Sequence, residues 1–199
     1  MSFDKDTWQT PRYLFEWLEQ RYGWIHIDGC ANHMNSLTYH YIGEPAPENY
    51  KCLDESPWSD DDKESVAPDF LGNDLFERLF YVIAGTCCTK LRIFVNPPYS
   101  NVTPFLKRAK ELRDAGHMVI MLLNNDKSTR WYQECIYNVA NEVIDITGGR
   151  VGFINPVTKQ EIKGNSKGQM IVVFDPTIDD FVTRNVSLDL IKKYGGYGA

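Results

Sequence analysis

The sequence predicts an α/β protein built on a mixed, mostly parallel sheet that ends in an antiparallel hairpin. Three observations carry this. Short, wholly apolar runs at 93–95 and 118–123 have the length and composition of strands buried on both faces. Stretches of helical periodicity separate such runs, two of them opened by a Thr-Pro pair (Thr10-Pro11 and Thr103-Pro104), where threonine can cap a helix and proline fill its first turn. Finally, residues 148–153 and 169–174 read as two antiparallel strands around a polar, basic loop at 155–167.

Taken in order, Thr10 and Pro11 open a helix over about 11–21 with the apolar stripe Tyr13, Leu14, Phe15, Trp17 and Leu18. Its first N–H groups lack helical partners and favour a carboxylate nearby. After Gly23 a short strand over 24–27 runs into Asp28-Gly29-Cys30-Ala31. An acid and small residues at a strand end suit ligand binding, because open α/β sheets bind at the carboxyl ends of their strands. Residues 43–69 are rich in proline and acid and lack periodicity, which predicts a surface loop or insert. Asp69 to Phe76 bring further acids, and the apolar stretch 79–83 continues the core. Next comes the strand ending in Asn96-Pro97-Pro98-Tyr99, then a helix from Thr103 to Gly116 and the strand 118–123. A helix over about 128–139, a strand over 143–146 and the hairpin follow, and the glycine-rich end Tyr194 to Ala199 is expected to be loose.

With 199 residues, 43% of them hydrophobic and 13% aromatic, the chain fits one domain, 1–199, able to bury a core without disulfides or metal. No apolar stretch reaches the ~20 residues of a membrane span, and the first ten residues lack a signal-peptide core, so a cytoplasmic protein is expected. Five cysteines without a CxxC pair argue for reduced thiols. Cys30, His33, His40 and Cys52 match no compact zinc spacing, so no metal is expected. The net charge of −6 is unevenly spread, since residues 1–80 hold 16 acidic and 6 basic side chains and residues 81–199 hold 11 and 15. The basic half begins just before the tetrapeptide. It offers Lys107, Arg108, Lys110, Arg113, Lys127, Arg130, Arg150, Lys159, Lys163 and Lys167 as phosphate contacts, with Ser100 beside the tetrapeptide. Solvated helix and hairpin faces explain the same charges equally well.

The most specific signal is Asn96-Pro97-Pro98-Tyr99. Neither proline offers an N–H and each restricts the residue before it, so the strand must stop in a stiff turn. At ordinary residue frequencies the tetrapeptide arises in such a chain roughly once in a thousand or less, which argues against chance. It resembles the catalytic tetrapeptide of amino-methyltransferases that use S-adenosylmethionine. Together with Asp6-x-Trp8-x-Thr10-Pro11, Asp28 to Ala31, Trp131-Tyr132, Gly149-Arg150-Val151-x-Phe153 and Val172-Val173-Phe174, it resembles the phage DNA N6-adenine methyltransferases over about residues 6–175. The resemblance implies a Rossmann-like methyltransferase fold. It places Thr10 and Pro11 near the methionine end of the cofactor, Asp28, Gly29, Cys30 and Ala31 in its cradle, and Asn96 to Tyr99 on the target adenine. The interval 32–95 is longer than in many relatives, so the acid that serves the adenosyl group is Asp74 or Asp54, with Asp74 preferred. A sizeable target-recognition domain is missing, which leaves base selectivity to loops such as 155–167 or the acidic insert.

The chemistry needs no metal. The amino lone pair of adenine is delocalised, and two acceptors, the Asn96 side-chain oxygen and the Pro97 carbonyl, can hold its N–H groups so that the lone pair faces the methyl donor. The base must leave the duplex to be reached, and Tyr99 is placed to stack on it. Two other readings compete: cytosine N4 or a protein glutamine as the substrate, and a binding module that keeps the fold without turnover.

Overall fold

The computed structural model describes residues 8–48, 63–85, 88–155, 158–162 and 165–198. Eight strands form one sheet: β1 (Ile27–Asp28), β2 (His40–Ile42), β3 (Glu64–Ala67), β4 (Arg92–Val95), β5 (Met118–Asn124), β6 (Glu142–Thr147), β7 (Gln169–Phe174) and β8 (Val182–Ser187). Their order is β3-β2-β1-β4-β5-β7-β6-β8. Strand β7 pairs antiparallel with both β5 and β6, and every other neighbouring pair is parallel. The carboxyl ends of all strands but β7 therefore share one rim.

Alternation along each strand divides the core between two faces. Ile93, Val95, Val119, Met121, Leu123, Val172 and Phe174 face one cluster, which α2 (Leu75–Gly85), α3 (Thr103–Asp114) and α4 (Arg130–Cys135) cover. Phe94, Ile120, Leu122, Ile144, Ile171 and Val173 face the other, covered by α1 (Arg12–Tyr22) and α5 (Leu188–Tyr194). Phe15 of α1 meets Phe94 edge-on, with ring centroids 5.6 Å apart. Both faces are covered, which is why the central strands read as continuous apolar runs.

Several elements depart from the sequence reading. Thr10 does not cap α1: the N-cap is Pro11, with no side-chain bond, and Val102 rather than Thr103 precedes α3. Strand β1 begins at Ile27, leaving Trp24 exposed, because pairing on β4 starts at Ile93. The acidic segment 43–69 ends in a strand, β3, whose four residues carry too little apolar pattern to announce themselves. Residues 79–83 belong to α2, which buries Leu75 and Leu79 but exposes Phe80 and Tyr81. The helix expected over 128–139 is only six residues long. Residues 148–153 are not a strand: Gly148 turns at φ +72°, and the antiparallel partners of β7 are β5 and β6 instead. The carboxyl-terminal end is tied down, with the Tyr197 hydroxyl donating to Glu161 Oε2 at 2.9 Å.

Glu142 fastens the two layers at the sheet's far side. Its buried carboxylate accepts from Tyr22 Oη at 2.6 Å, Arg21 Nη2 at 2.7 Å and Arg184 Nε at 2.6 Å. Burial alone would raise its pKa; the bonds from Tyr22 and Arg21 outweigh that and hold it below the usual range. Gly43 does the equivalent work beside the functional rim. Its N–H donates to the Ala67 carbonyl at 2.8 Å, its φ is +155°, and a Cβ there would lie 1.8 Å from the Ala31 carbonyl oxygen. Gly43→Ala should therefore lose about 2–4 kcal/mol of stability, from strain plus the displaced Ala31 loop. Urea unfolding checks this, and an unchanged midpoint would contradict it.

Candidate active site at the carboxyl rim

The site begins with a register. Strand β1 pairs on β4 as Ile27↔Ile93 and Asp28↔Phe94, so Asp28 sits beside the strand that carries Asn96 two residues further on. Gly29 donates to the Phe94 carbonyl at 2.6 Å. A Cβ on Gly29 would come within 2.9 Å of Val95 Cγ2 and 3.0 Å of the Phe94 oxygen, so only glycine lets the two strand ends touch. Trp8, Thr10, Asp28, Cys30, Asn35 and Asn96 then line one small cleft on this rim.

Asp28 is the electrostatic centre of the cleft. It is 4% exposed, accepts from the Leu37 N–H at 3.1 Å, and has its own N–H bound to Thr38 Oγ1 at 2.8 Å. Burial pushes its pKa up to about 6, against the opposing pull of the Leu37 and Cys30 N–H groups and of Lys63. A buried strand-end carboxylate in a cleft is a mark of ligand binding. Burial, reinforced by Asp28 and Asp69, also pushes the Cys30 thiol up, so Cys30 stays protonated and lines the cleft without acting as a nucleophile.

The tetrapeptide forms the other wall. Pro97 is buried and Asn96, Pro98 and Tyr99 are half-buried. The Asn96 amide makes no hydrogen bond among the described residues. Tyr99 leans its ring edge-on to Phe153 at 6.3 Å and donates its hydroxyl to the Leu122 carbonyl at 3.4 Å. Burial raises its pKa, so it remains a neutral phenol. Phe153 in turn lies 5.7 Å from the Trp8 ring. The segment after β6 thus links the two ends of the site: Ile154 and Gln9 exchange backbone bonds of 3.0 and 2.9 Å, and Gln169, fully buried, accepts from the Val151 N–H at 3.0 Å.

The sequence-predicted residues divide accordingly. Thr10, Asp28, Cys30 and Asn96 come together in the cleft, with Gly29 between its strands. Pro11 caps α1 next to Thr10, and Ala31 donates to the Ile42 carbonyl at 3.1 Å. Asp74 is not brought in: it is exposed before α2 and pairs with Arg78 at 2.6 Å. Asp69, which follows β3 and acts electrostatically on Cys30, lies nearer. Asp6, Asp54 and Lys163 lie outside the described residues. Trp8, Asn35 and Phe153 were not among the predicted site residues, although Trp8 and Phe153 belong to the quoted motifs; Asn35 carries no sequence signal.

The basic residues also divide. Lys127 pairs with Asp145 at 2.7 Å, Lys167 with Asp126 at 3.8 Å and Arg130 with Glu134 at 2.7 Å, while Arg150 donates to the Asn165 carbonyl at 2.6 Å. These four extend from segments at the carboxyl rim, as does exposed Ser100. Lys159 reaches toward Gln9 Oε1 at 3.5 Å. Basic residues of α3 do otherwise: Arg108 binds the Gly72 carbonyl at 2.9 Å, and Lys110 and Arg113 line a wider polar basin at the opposite rim. That basin holds none of the motif residues.

Residues 86–195 match the family model described as DNA N-6-adenine-methyltransferase (Dam). The chain belongs to this family. A DNA N-6-adenine-methyltransferase of Haemophilus phage HP1 (strain HP1c1) is 32% identical to it over 175 residues, covering 87% of this chain and 80% of the relative. One of Escherichia phage T1 is 28% identical over 183 residues, covering 85% of this chain and 62% of that longer relative. The Dam-family match includes the tetrapeptide, the Gly149 to Phe153 segment and β7, whereas Thr10 and Asp28 precede it.

The raised pKa of Asp28 gives a prediction. The folded state holds its proton up to about pH 6 and the unfolded chain only to about 3.8, so ionisation opposes folding, and this contribution worsens as pH rises through that window. Asp28→Asn should raise the unfolding free energy at pH 7.5 by about 1–3 kcal/mol, a gain that fades toward pH 4. Urea melts across pH 4–8 measure it; a variant less stable than wild type at pH 7.5 would refute the assignment.

Proposed function

We propose that the chain transfers a methyl group from S-adenosyl-L-methionine to the N6 amino group of adenine in DNA, with the adenine flipped out of the duplex. The observation that carries this reading is the cleft itself, in which the β1/β4 register sets a buried carboxylate beside an amide with no hydrogen-bond partner among the described residues. The residues present fit the methyl donor. Asp28 suits its ammonium group, Gly29 keeps the strand ends close, and the Thr10 hydroxyl stands beside an α1 terminus without a side-chain cap. Asp69 and Glu44, which follow β3 and β2 at the same rim, are the acids positioned for the ribose, in place of Asp74. When bound, S-adenosyl-L-methionine supplies a methyl group on a positively charged sulfur.

The chain's own residues do the rest. Asn96 Oδ1 and the Pro97 carbonyl accept the two amino hydrogens of adenine, which favours a lone pair directed out of the ring plane. Pro97 and Pro98 hold those acceptors in place, so alignment, worth up to ~7–11 kcal/mol in well-oriented reactions, is built in before the base arrives. Tyr99, braced by Phe153 and Leu122, offers its ring to the extruded base. Lys127, Arg130, Arg150, Lys159 and Lys167, with Ser100, face phosphates along the rim. The chain works as one domain, with base selectivity in its rim loops, in the cytoplasm of the cell whose DNA it modifies. No helix among the described residues is long and apolar enough to cross a membrane.

Methyl transfer from labelled S-adenosyl-L-methionine to unmethylated DNA, followed by digestion to nucleosides, tests the reading. N6-methyladenine is expected, and label in cytosine alone, or none, would overturn it. Single-turnover rates should fall in the order wild type, Tyr99→Phe, Tyr99→Ala, Asn96→Ala. The phenylalanine keeps the ring, whereas alanine forfeits ~1–3 kcal/mol of stacking, about one to two orders of magnitude in rate. An Asn96→Ala variant as fast as wild type would remove the tetrapeptide from the chemistry.

The rim charges predict a steep fall of DNA affinity with salt despite the acidic pI of about 5.2. Replacing Arg150, Lys159 and Lys167 together by glutamine should make the slope of log affinity against log salt shallower by about 2–3. An unchanged slope would show that these side chains do not reach phosphate.

A further inference from the structure

Within the cleft one polar group has no use in the scheme above. The indole Nε1–H of Trp8 is buried and meets no acceptor among the described residues. An indole N–H can only donate, and a buried donor without an acceptor is destabilising, so such a group calls for a partner that the described residues do not supply. The ring is not free to turn away. Phe153 lies 5.7 Å from it at an interplanar angle of 39°, and the next residue, Gln9, is fixed by both backbone bonds to Ile154. Beside it Thr10, only 8% exposed, lines the same cleft, and its hydroxyl makes no hydrogen bond among the described residues.

We propose that Trp8 Nε1–H donates a hydrogen bond to the carboxylate of the amino-acid end of the methyl donor. The inference rests on the methyl-donor reading of the cleft and adds a residue to it. Its chemical logic is complementarity: the cleft lining combines one buried carboxylate, Asp28, with one buried donor that meets no acceptor among the described residues, Trp8 Nε1, and with the Thr10 hydroxyl beside it. A ligand that meets both must carry a cation and an anion side by side, which is the pattern of an α-amino acid. Its ammonium faces Asp28 and its carboxylate faces Trp8 and Thr10. A DNA phosphate would answer the donors but bring a second negative charge against Asp28, so the backbone of the substrate is the poorer match.

The test uses the full chain with Trp8 replaced by 3-benzothienyl-alanine, which keeps the shape of the ring but puts sulfur in place of the N–H, and in parallel Trp8→Phe. Calorimetry measures binding of S-adenosyl-L-methionine and of its decarboxylated analogue, which lacks only the carboxylate. Both variants should bind S-adenosyl-L-methionine about tenfold more weakly than wild type while binding the decarboxylated analogue as wild type does. The urea midpoint of the benzothienyl protein should be no lower than that of wild type, because no intramolecular bond is lost and a buried donor without an acceptor is removed. Equal losses on both ligands, or no loss on either, would overturn the contact between Trp8 and the carboxylate while leaving the methyl-donor reading intact. Failure of the wild-type chain to bind either ligand would overturn that reading and the inference with it.

Discussion

The pairing of β1 on β4 is the constraint on which the rest of the site depends. The pair is only two residues long, yet its register decides that Asp28 ends level with Phe94 and that Asn96 projects beyond it. A slip of one residue would reverse the faces of every side chain on β1, taking Ile27 out of the cluster it packs in and Asp28 out of the cleft. Close contact holds the register: Gly29 touches Val95 and bonds to Phe94, leaving no room for a Cβ between the strand ends. Two prolines then prevent β4 from running on past the rim.

Around that pair the molecule is fastened at two places. At the rim, Phe153 lies between Trp8 and Tyr99, so the turn that follows β4 and the segment that precedes α1 share one aromatic support. Away from it, Glu142 gathers Arg21, Tyr22 and Arg184 and joins α1 to β6 and β8. The two differ in kind. Glu142 has its charge answered by two guanidinium groups and a phenol, whereas for Asp28 the backbone N–H groups of Leu37 and Cys30 and the charge of Lys63 do not make up for the loss of water. A structural carboxylate is paired; a buried carboxylate whose loss of water is not made good is a candidate for binding a cation.

The charge distribution shows the same division of labour. At the carboxyl rim, Arg130 pairs with Glu134 along α4 and Lys167 with Asp126 between loops, both exposed pairs for whose cations a polyanion can compete at little cost, while Lys127 is held more closely by half-buried Asp145 of β6. The two arginines of α3 are committed: Arg108 holds three successive carbonyls of the turn before α2, and Arg113 holds the Val139 carbonyl. A linear count of lysines and arginines cannot separate these classes, because α3 runs from the functional rim to the opposite one and carries its charges with it.

The sequence by itself determined the tetrapeptide and its stiffness, the acid and small residues after the first strand, the long buried strands β4, β5 and β7, and the two Thr-Pro helix starts to within a residue. Each of these is a local property, written in consecutive residues by sterics or by an unbroken apolar run. Tertiary structure alone decided what non-local contacts set: that β7 lies between β5 and β6, that residues 148–153 form a support beside Trp8 rather than a strand, and that β2, β3 and β8 complete the sheet with too few apolar residues to be seen. It also separated two acids alike in sequence, Asp69 acting electrostatically on Cys30 and Asp74 pairing with Arg78. The carboxyl-terminal glycines read as slack, yet Gly195 is where the chain passes against the Tyr13 carbonyl, so close that a Cβ would fall 1.8 Å from its oxygen, on the way to Tyr197 and Glu161. Conformational freedom is visible in a sequence; the surface that removes it is not.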